Sequence, residues 1–332
     1  MQKSQATIKQ IAQELGVSIS TVSRALQNNP RIGLRTRERV WELARQLQYR
    51  PNPAALILKK KHTRTIGVVL PFLKEEFFST AITAIEDVLT GYNVVISQSR
   101  DELEREKGAL ATFLASRVDG VIASISAETH HYLHFKELES FGIPVVFFDR
   151  VPRRLPAHKV RSNISTAARE LVDFLADRGL ERIALLNGPA QLEVSEERQQ
   201  GYLQAMKERH LPIDPSYVCS SDLSKADTQA KVDYLLSREP KPQAIVAFND
   251  YISLYAIERT QALGLVPNQD VYFVSFANLP MMEYAAHPPL ASVDQFAYTM
   301  GEKAAELLLQ LIQSPEEIPY QELWVETKLV IH

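Results

Sequence analysis

Polar and aromatic side chains stand at the ends of several apolar runs in this sequence, where their types suit the binding of a small molecule. They are the pairs Phe77-Phe78, Asp149-Arg150 and Asn249-Asp250. Aromatic rings stack on ring-shaped ligands, and Asp, Asn and Arg side chains form directional hydrogen bonds with hydroxyl groups. The set predicts a site for a small hydroxylated ligand. For Asp250, capping of the next helix is an equal alternative, because Asp and Asn at strand ends often serve that purpose.

The chain lacks the short motifs on which common catalytic sites depend. It has no G-x-G-x-x-G, no P-loop, no G-x-S-x-G and no H-E-x-x-H. His130, His131 and His134 have a spacing that suits metal binding on a helix, but no further cysteine or acidic partner is evident nearby, so a surface helix is favoured. Cys219 is the only cysteine, which excludes an intrachain disulfide and a cysteine-based zinc site. We therefore expect neither an enzyme nor a metal or cofactor.

Residues from Thr65 onward alternate between apolar runs and amphipathic stretches. The predicted strands are Ile66–Leu70, Val94–Ser97, Gly120–Ala123, Val145–Phe148, Ile183–Leu186, Ala244–Phe248 and Val271–Phe276, and the helices include Ser79–Leu89, Leu103–Ser116, Ala167–Arg178, Glu196–Arg209 and Ile252–Leu263. Continuous apolar strands separated by helices predict parallel sheets covered on both faces. Seven predicted strands with helices between them favour two α/β lobes over a single one. Because ligands of such sheets bind at the carboxyl ends of strands, two facing lobes would form a binding cleft.

The first fifty residues predict three short helices instead. Thr7–Gln10 has the pattern of a capping box, and Gly16 ends the first helix. Ser18 caps a second helix over Ile19–Leu26, and a third runs roughly over Leu34–Gln48. Two short helices joined by a tight glycine-containing turn form a helix-turn-helix.

The second helix carries polar side chains on its outward face near its start, where a recognition helix contacts base edges in the major groove. Ile19 and Ser20 are the candidate readers of sequence, and the fork of Arg24 suits either guanine or phosphate. Hydroxyl groups suit phosphate oxygens, which position a protein without specifying sequence. The candidates of this kind are Thr7, Thr21 and Ser23, together with Ser18 at the start of the helix. The alternative is that these residues are ordinary caps and surface.

The net charge is distributed unevenly along the chain. Residues 1–64 carry 13 Lys and Arg against three acids, a net charge of +10, whereas the remainder carries 24 basic and 37 acidic residues. A basic segment on an acidic body indicates a polyanion-binding head, although a basic run alone is usually a solvated surface. No stretch approaches the ~20 apolar residues of a membrane helix, and the N-terminus lacks the apolar core of a signal peptide. We expect a cytoplasmic protein with no membrane partner.

Four motifs follow one another along the chain. They are G-V-S-x-x-T-V-S-R from Gly16, T-R-E-R-V from Thr36, L-x-Y-x-P-N-x-x-A from Leu47 and T-I-G-V-V from Thr65. This order resembles the LacI/GalR (lactose-repressor) family, and the resemblance extends over essentially the whole chain. It implies an all-α helix-turn-helix DNA-binding head followed by an α/β two-lobed effector domain like a type I periplasmic binding protein.

The resemblance also implies a hinge that folds on operator DNA. In the family such a segment forms a short helix, and paired leucines wedge into the minor groove. Leu58 occupies the wedge position, Ala55 allows two hinge helices to pack closely, and Asn52 belongs to the same DNA-contacting segment. Leu56 and Ile57 replace residues that are usually polar, so this hinge is more apolar than usual. Packing of Leu58 against the body is the alternative.

Domain limits follow from the resemblance. We expect the head over residues 1–50, the hinge over 51–64, and an effector-binding and dimerisation domain over 65–332. The resemblance implies that each lobe is discontinuous. Lobe 1 would take about 65–162 and 293–324, and lobe 2 about 163–292 and 325–332.

Effector contacts are carried over residue by residue. Phe77 and Phe78 match a position that packs on the effector, and Arg198 matches an effector-contacting arginine. Asn163 and the pair Asn249-Asp250 also match family positions, whereas Asp149 and Arg150 are candidates because they end the fourth apolar run. Two departures make a standard sugar contact set incomplete, because Ala277 replaces a frequent aspartate and Ser162 replaces the first residue of a D-N pair.

These observations predict a sequence-specific regulator, in most such cases a repressor, that binds operator DNA as a homodimer. A small molecule, a sugar or sugar derivative, would modulate its operator affinity. A solute-binding protein without DNA function would carry a signal peptide and no basic head. A sugar-metabolising enzyme would need a catalytic constellation in the cleft, and a turnover assay on candidate sugars would expose it.

Overall fold

The chain forms two compact units. The structure is a computed structural model that describes residues 6–49, 62–153 and 155–332. The first unit, called the head, ends at Thr63, and the second, called the body, runs from Arg64 to His332. The predicted hinge contacts Asn52, Ala55 and Leu58 lie outside the described residues. No helix among the described residues is both long and apolar enough to cross a membrane.

Three helices make up the head: α1 (Ile8–Leu15), α2 (Ile19–Leu26) and α3 (Leu34–Gln46). Gly16 follows α1 with a φ of +65°, a left-handed conformation that glycine adopts at little cost and that turns the chain into α2. One side of each helix faces a shared apolar core, whose buried members are Ile11, Ala12, Val22, Ala25, Val40 and Ala44. The predicted helix-turn-helix is therefore present, and α3 ends two residues before its predicted limit.

Two six-stranded sheets form the framework of the body. The first has the order β11-β5-β4-β3-β1-β2 and is parallel throughout. The second has the order β12-β10-β9-β8-β6-β7 and is parallel except for the pair β10–β12. The strands are β1 (Thr65–Leu70), β2 (Asn93–Gln98), β3 (Gly120–Ala123), β4 (Val145–Phe148), β5 (His158–Ser162), β6 (Ile183–Asn187), β7 (Val218–Ser220), β8 (Ala244–Ala247), β9 (Tyr272–Ala277), β10 (Ala291–Asp294), β11 (Glu322–Val325) and β12 (Lys328–Ile331).

Helices cover both faces of each sheet. They are α4 (Glu76–Val88), α5 (Leu103–Ala115), α6 (Leu133–Ser140), α7 (Ile164–Ala176), α8 (Glu193–Glu208), α9 (Lys225–Leu236), α10 (Asp250–Ala262) and α11 (Ala297–Gln313). Successive strand residues point to opposite faces, so Val68 and Leu70 join one apolar cluster while Val69 joins another. Gly201 lets α8 approach α7, because a Cβ there would overlap a backbone carbonyl of α7.

The chain passes between the two sheets three times. It leaves the first sheet after β5, returns from β10 through α11 to β11, and ends with β12 back in the second sheet. Parallel strands bring their carboxyl ends to one edge of each sheet. The loops that follow β1, β3 and β4 therefore lie together, as do those that follow β8, β9 and β10.

Sequence patterns missed four of the short strands, β5, β7, β10 and β11, as well as helices α6 and α9. Strand β5 shows the physical reason, since two of its five residues, Lys159 and Arg161, are charged and yet buried. Charged residues are buried only when they are paired, and pairing is not visible in the local sequence.

Candidate functional site

Hydroxyl groups cluster at the start of α2 in the head. The Ser18 hydroxyl accepts a hydrogen bond of 3.1 Å from the Thr21 N–H and so caps the helix. The same oxygen lies 2.8 Å from the hydroxyls of Ser20 and Thr21. This end of α2 therefore presents free backbone N–H groups and three hydroxyls, which are suitable partners for phosphate oxygens.

The candidate DNA contacts of the head lie on α2 and at the N-caps of α1 and α2. Thr7, Ser18, Ile19, Ser20 and Arg24 are exposed, whereas Thr21 and Ser23 are half-buried. Ile19 is 48% exposed, which is unusual for an apolar residue on an eight-residue helix that has its own core. An exposed apolar side chain beside hydroxyls and a guanidinium suits the mixed surface of base edges.

The start of α1 differs from the predicted capping box. The Thr7 hydroxyl accepts from the Gln10 N–H at 3.2 Å, as expected. The Gln10 side chain does not reach back to Thr7, because its amide donates to Glu14 Oε1 at 3.1 Å. Only one half of the box forms, since a partner one turn ahead on the same helix face competes for the glutamine.

A cavity lies in the body where carboxyl ends of strands from both sheets meet. This inner cavity encloses about 390 Å³, including space open to solvent. Its wall combines aromatic rings with charged and amide groups. It is lined by Glu75, Phe77, Phe78, Asp149, Arg150, Val194, Arg198, Phe248, Asn249, Ala277 and Gln295. Six of the eight candidate effector residues thus line one cavity, although they come from distant parts of the chain.

Arg198 on α8 is the most unusual group in this wall. Its guanidinium lies between two aromatic rings, with Cζ 4.2 Å from the centroid of Phe248 and 4.4 Å from that of Phe276. One nitrogen donates to the Val194 carbonyl at 3.0 Å, whereas Nε has no hydrogen-bond partner among the described residues. Burial lowers the pKa of Arg198 to about 10, and the Asp149 carboxylate offsets part of that effect. The cavity therefore contains a desolvated cation with unused donor capacity.

Carboxylates balance the cations of the inner cavity. Burial raises the pKa of Asp149, while Arg150 and Arg198 counteract the rise. Arg150 donates to Asp101 Oδ1 at 2.6 Å. Burial also raises the pKa of Glu75, which Arg150 opposes and Asp101 and Asp149 reinforce. Opposite charges held this close form a polar wall that is pre-organised for a ligand with both donors and acceptors.

Two candidate effector residues lie outside the inner cavity. Asp250 is fully buried, and its carboxylate accepts from the hydroxyl of Ser275, from that of Ser292 at 2.7 Å and from the Leu279 N–H at 2.7 Å. It links β9 and β10 through Ser275 and Ser292. Asn163 is exposed and caps α7, accepting from the Thr166 N–H at 3.1 Å. Asn249 has two roles. It lines the inner cavity, and it caps α10 by accepting a hydrogen bond from the Ile252 N–H at 3.0 Å.

Ala277 in the cavity wall has a strained backbone. Its φ is +97°, a conformation that favours glycine and is costly for a residue with a Cβ. The position therefore contributes backbone geometry and a methyl group where the resembling family often has a carboxylate. The cavity is correspondingly less acidic and more apolar at this point.

Four residues of the inner cavity were not predicted: Glu75, Val194, Phe248 and Gln295. Phe248 directly precedes the Asn249-Asp250 pair, and that adjacency was a usable signal. Gln295 follows β10, which has only two apolar residues, Ala291 and Val293, and therefore forms no apolar run that would mark it as a strand. Glu75 occupies the N-cap position of α4 without a side-chain capping hydrogen bond, and it lines the cavity.

A second cavity, called the outer cavity, adjoins the first. It encloses about 830 Å³, again including open solvent, and shares Arg150 and Val194 with the inner cavity. Its other lining residues are Ile125, Ser126, Ala127, Thr129, His130, Tyr132, Val151, Arg153, Gln191, Leu192 and Glu193. They come from the loops after β3 and β4 on one side and from the start of α8 on the other, so both lobes contribute.

Ion pairs join the two lobes beside the outer cavity. Arg153 after β4 forms a two-pronged pair with Glu196 on α8, one contact of which measures 2.7 Å. Arg161 on β5 contacts Glu197 and lies 3.3 Å from Glu193. Glu196 and Glu197 lie in the first two turns of α8, where the helix dipole favours negative charge, and they also form ion pairs across the cleft.

The structure corrects the prediction that His130, His131 and His134 lie together on one surface helix. His130 and His131 precede α6, and only His134 lies on it. His134 Nε2 lies 2.8 Å from Glu106 Oε1, an acidic partner 28 residues earlier in the chain. Glu106 is fully buried and also accepts from the Ser126 N–H at 2.7 Å and the Thr129 hydroxyl at 2.6 Å. This carboxylate therefore holds the loop that forms one wall of the outer cavity.

Comparisons with known proteins agree with this architecture. Residues 7–52 match the family described as bacterial regulatory proteins, lacI family, and residues 172–332 match the periplasmic binding protein-like domain. The ribose operon repressor of Bacillus subtilis is 32% identical over 310 residues, which cover 93% of this chain and 92% of that protein. Catabolite control protein A of Priestia megaterium is 31% identical and covers 95% and 98%.

A solved structure supports the same assignment for the whole chain. The lac repressor dimer bound to operator and the anti-inducer ONPF superposes with a TM-score of 0.83 at 26% identity, covering 98% of both chains. The predicted fold class, a helix-turn-helix head with a periplasmic-binding-protein-like body, is confirmed. The curated relatives that the chain resembles over most of its length include transcriptional repressors. The chain belongs to the LacI family of bacterial regulatory proteins.

Proposed function

We propose that this protein is a sequence-specific repressor that binds operator DNA as a homodimer and responds to a sugar or sugar derivative in the inner cavity. The head would comprise residues 1–50, the hinge 51–64, and the effector and dimerisation domain 65–332. Its place of action would be the cytoplasm, where the chromosome lies. We assign it no catalytic role, in keeping with its repressor relatives.

Arg198 is the observation that carries the ligand proposal. A buried guanidinium with an unpartnered Nε is costly, because each unsatisfied buried donor loses its hydration without compensation. A ligand oxygen between Arg198 and Asp149 would remove that cost. Rings of Phe77, Phe78 and Phe248 in the same wall suit the apolar face of a sugar ring.

Names of the relatives point in the same direction. The ribose operon repressor takes its name from a sugar operon, and the lac repressor structure contains operator DNA together with a small-molecule anti-inducer. Ser162 and Ala277 stand where the family often has other side chains, so the contacts to the ligand would differ from the usual sugar-binding set.

The head would supply the DNA contacts. Ile19, Ser20 and Arg24 would read base edges in the major groove, while the hydroxyls of Thr7, Ser18, Thr21 and Ser23 would contact phosphates. Exposure of the first three supports this assignment. Asn52, Ala55 and Leu58 would contact the minor groove, a proposal that rests on the family resemblance alone.

Ligand binding would act by changing the relation of the two lobes. The cavities are built from both lobes, and the pairs Arg153–Glu196 and Arg161–Glu197 join them. A ligand that makes contacts with both lobes binds one lobe arrangement better than another, which is the only way that it can shift the equilibrium. The chain crosses between the lobes three times, so a movement of one lobe relative to the other would also move residue 64, where the hinge meets the body.

DNA binding by the full-length protein to the region upstream of its own gene is the first test. We expect sequence-specific binding that weakens steeply as salt rises, because phosphate contacts release counterions. A variant that begins at residue 62 serves as the control and should lose this binding while its body stays folded. Absence of specific binding at low salt, with and without candidate sugars, would contradict the repressor assignment.

Leu58→Ala tests the hinge. The substitution should weaken operator binding by tenfold or more, roughly the effect of 1.4 kcal/mol or more, because a lost wedge leaves the DNA kink unsupported. Affinity for a sugar should stay unchanged, as measured by isothermal titration calorimetry. Equal operator affinity in the variant would remove Leu58 from the DNA contacts.

A further inference from the structure

A groove runs along helix α3 of the head, outside the apolar core that the three helices share. It encloses about 970 Å³, including space open to solvent. Its lining comes almost entirely from α3 and consists of Asn28, Leu34, Arg37, Glu38, Trp41, Glu42, Arg45 and Gln46. None of these residues is a buried member of the core, so the packing of the described head does not use this face of α3.

Two large apolar side chains are exposed in the groove. Leu34 is 65% exposed, and Trp41 is 37% exposed. The Trp41 Nε1–H donates to the side-chain oxygen of Asn28 at 3.3 Å, which fixes the orientation of the indole ring in the groove wall. Tryptophan and arginine are enriched at the centres of protein interfaces, and this groove contains both. Its composition is therefore typical of a surface that binds another protein.

The groove residues repeat at the spacing of a seam between two helices. Leu34, Glu38, Trp41 and Arg45 follow one another at intervals of four, three and four residues. Side chains at these intervals lie along one face of a helix, as the a and d positions of a coiled coil do. This face of α3 is therefore suited to pack lengthwise against a second helix.

Charges in the groove complement a second copy of the same surface. Arg37 and Arg45 balance Glu38 and Glu42, and none of the four forms an ion pair with another residue of 6–49. The midpoint of the seam lies between Glu38 and Trp41, so two antiparallel copies of α3 would place Arg45 of one copy about one helical turn from Glu38 of the other. A two-fold contact uses the same patch on both partners, and a patch with both signs of charge complements itself. The two glutamates would repel a nucleic acid at this place.

We propose that this groove binds a second copy of the chain, with two α3 helices packed antiparallel, Trp41 near the two-fold axis and Arg45 paired with Glu38 on either side of it. Eight lining residues are fewer than the roughly 20–30 of a standard interface, so the contact is weak by itself. It is separate from the homodimer contact of the body proposed above. Because each homodimer carries two heads, the contact would join homodimers to one another at micromolar concentrations.

Sedimentation velocity on the full-length protein without DNA tests this contact. Raising the protein concentration over roughly a hundredfold range around the micromolar level should convert the sedimenting species into one of twice its mass. A mass that stays constant over this range would overturn the proposal.

Trp41→Ala should remove most of the association. The dissociation constant should rise about tenfold or more, because truncation of a central tryptophan is among the most costly changes in an interface. Circular dichroism should show a folded head, since Trp41 lies outside its apolar core. Association equal to that of the wild type would overturn the proposal.

Reversal of the charges at positions 38 and 45 tests the antiparallel pairing. Glu38→Arg and Arg45→Glu should each weaken association, because each sets like charges against one another across the two-fold axis. The double variant should restore association, since opposite charges meet again, and failure to do so would overturn the proposal. Arg39→Glu is the matched control for Arg45→Glu. Arg39 is exposed on α3 but does not line the groove, so association should stay unchanged.

Two other results with Trp41→Ala would assign the groove to a different occupant and reject the second copy. Unchanged association with weaker operator binding would show that the groove contacts DNA. Unchanged association with a lower midpoint of thermal unfolding would show that another part of the same chain covers it. Operator binding at nanomolar protein, where this weak contact is dissociated, tests the repressor assignment independently, so the two proposals can fail separately.

Discussion

The head and the cleft of the body use polar side chains in opposite ways. In the head, Ile19, Ser20 and Arg24 are exposed on one short helix, and the core beneath them is entirely apolar. In the cleft, Arg150 and Arg198 are buried and held by aromatic rings and carboxylates. Exposed contacts cost the fold little, whereas buried contacts must be stabilised by the fold itself.

Because of this difference, substitutions in the head and in the cleft should affect stability and binding in different ways. A substitution on the outward face of α2 should change DNA affinity and leave the free energy of unfolding nearly unchanged. A substitution in the buried network of the cleft should change both stability and ligand affinity, because the same groups do both. The following variants test that separation, beginning with the largest expected effect.

Asp250→Ala should produce the largest loss of stability. The substitution leaves the Leu279 N–H and the hydroxyls of Ser275 and Ser292 without their acceptor in a fully buried place. We expect the free energy of unfolding of the body to fall by about 3 kcal/mol, measured by urea denaturation. DNA contacts of the head should be unaffected at temperatures where the body is folded.

Asn163→Ala is the matched control for Asp250→Ala. Asn163 also lies at a helix start, but it is exposed and accepts one hydrogen bond, from the Thr166 N–H. Loss of such a cap costs roughly 1 kcal/mol. If Asp250→Ala cost no more than Asn163→Ala, the assignment of Asp250 as the tie between β9 and β10 would be wrong.

Arg24→Ala should have the largest effect on the DNA side. Loss of a bidentate contact to a base costs about 1–3 kcal/mol, which corresponds to a decrease in operator affinity of roughly fivefold to 150-fold. Fluorescence anisotropy with labelled operator measures the change. Thermal unfolding should be unchanged, because Arg24 is exposed and lies outside the apolar core of the head. A marked loss of stability would show that the head, too, depends on its contact residues.

Ala277→Gly should stabilise the protein. At a φ of +97° glycine is favoured over alanine, and release of this strain outweighs the extra backbone entropy of glycine in the unfolded chain. We expect a gain of about 1 kcal/mol in the free energy of unfolding. Ala285→Gly is the control, because Ala285 has an ordinary φ of −73° and should lose stability or stay unchanged. Destabilisation by Ala277→Gly would contradict the strain.

Glu75→Gln should give the smallest effect, and one that depends on pH. Burial raises the pKa of Glu75, so the folded protein holds this proton more tightly than the unfolded chain does. The charged form therefore lowers stability at pH values above the folded-state pKa, and this deficit disappears as the pH falls below the unfolded value. Glu75→Gln should be more stable than wild type near neutral pH, with the two converging in acid. Urea denaturation at several pH values measures the difference, and a constant difference would exclude titration of Glu75 as the cause.

Local patterns predicted much of the fold. The apolar runs identified β1, β3, β4, β6, β8 and β9 nearly within their observed limits, because their neighbours in both sheets require a continuous buried surface. Strand β5 escaped recognition because Lys159 and Arg161 are buried there, and the carboxylates that pair with Arg161 come from α8 and β11. A pattern confined to a few neighbouring residues contains no information about such partners.

The residues of the candidate site also fall into two groups, those that the local sequence indicated and those that only the fold identified. The residue types that follow predicted strands marked Phe77, Asp149 and Asn249, whereas Gln295 was identified as part of the cavity wall only in the folded chain. Asp250 and Asn249 are adjacent in sequence and equally polar. The structure turns Asp250 towards two hydroxyls in the core and leaves Asn249 in the cavity wall.

By itself the sequence determined the helix-turn-helix, the α/β class of the body and the basic head, since each depends on periodicity, turns or charge within short stretches. Only the tertiary structure decided that Arg198 lies between two phenylalanines, that Glu106 anchors a cavity wall and that α8 carboxylates join the lobes. Those features depend on the distances between residues far apart in the chain. Such distances follow from the packing of two sheets and not from any local pattern.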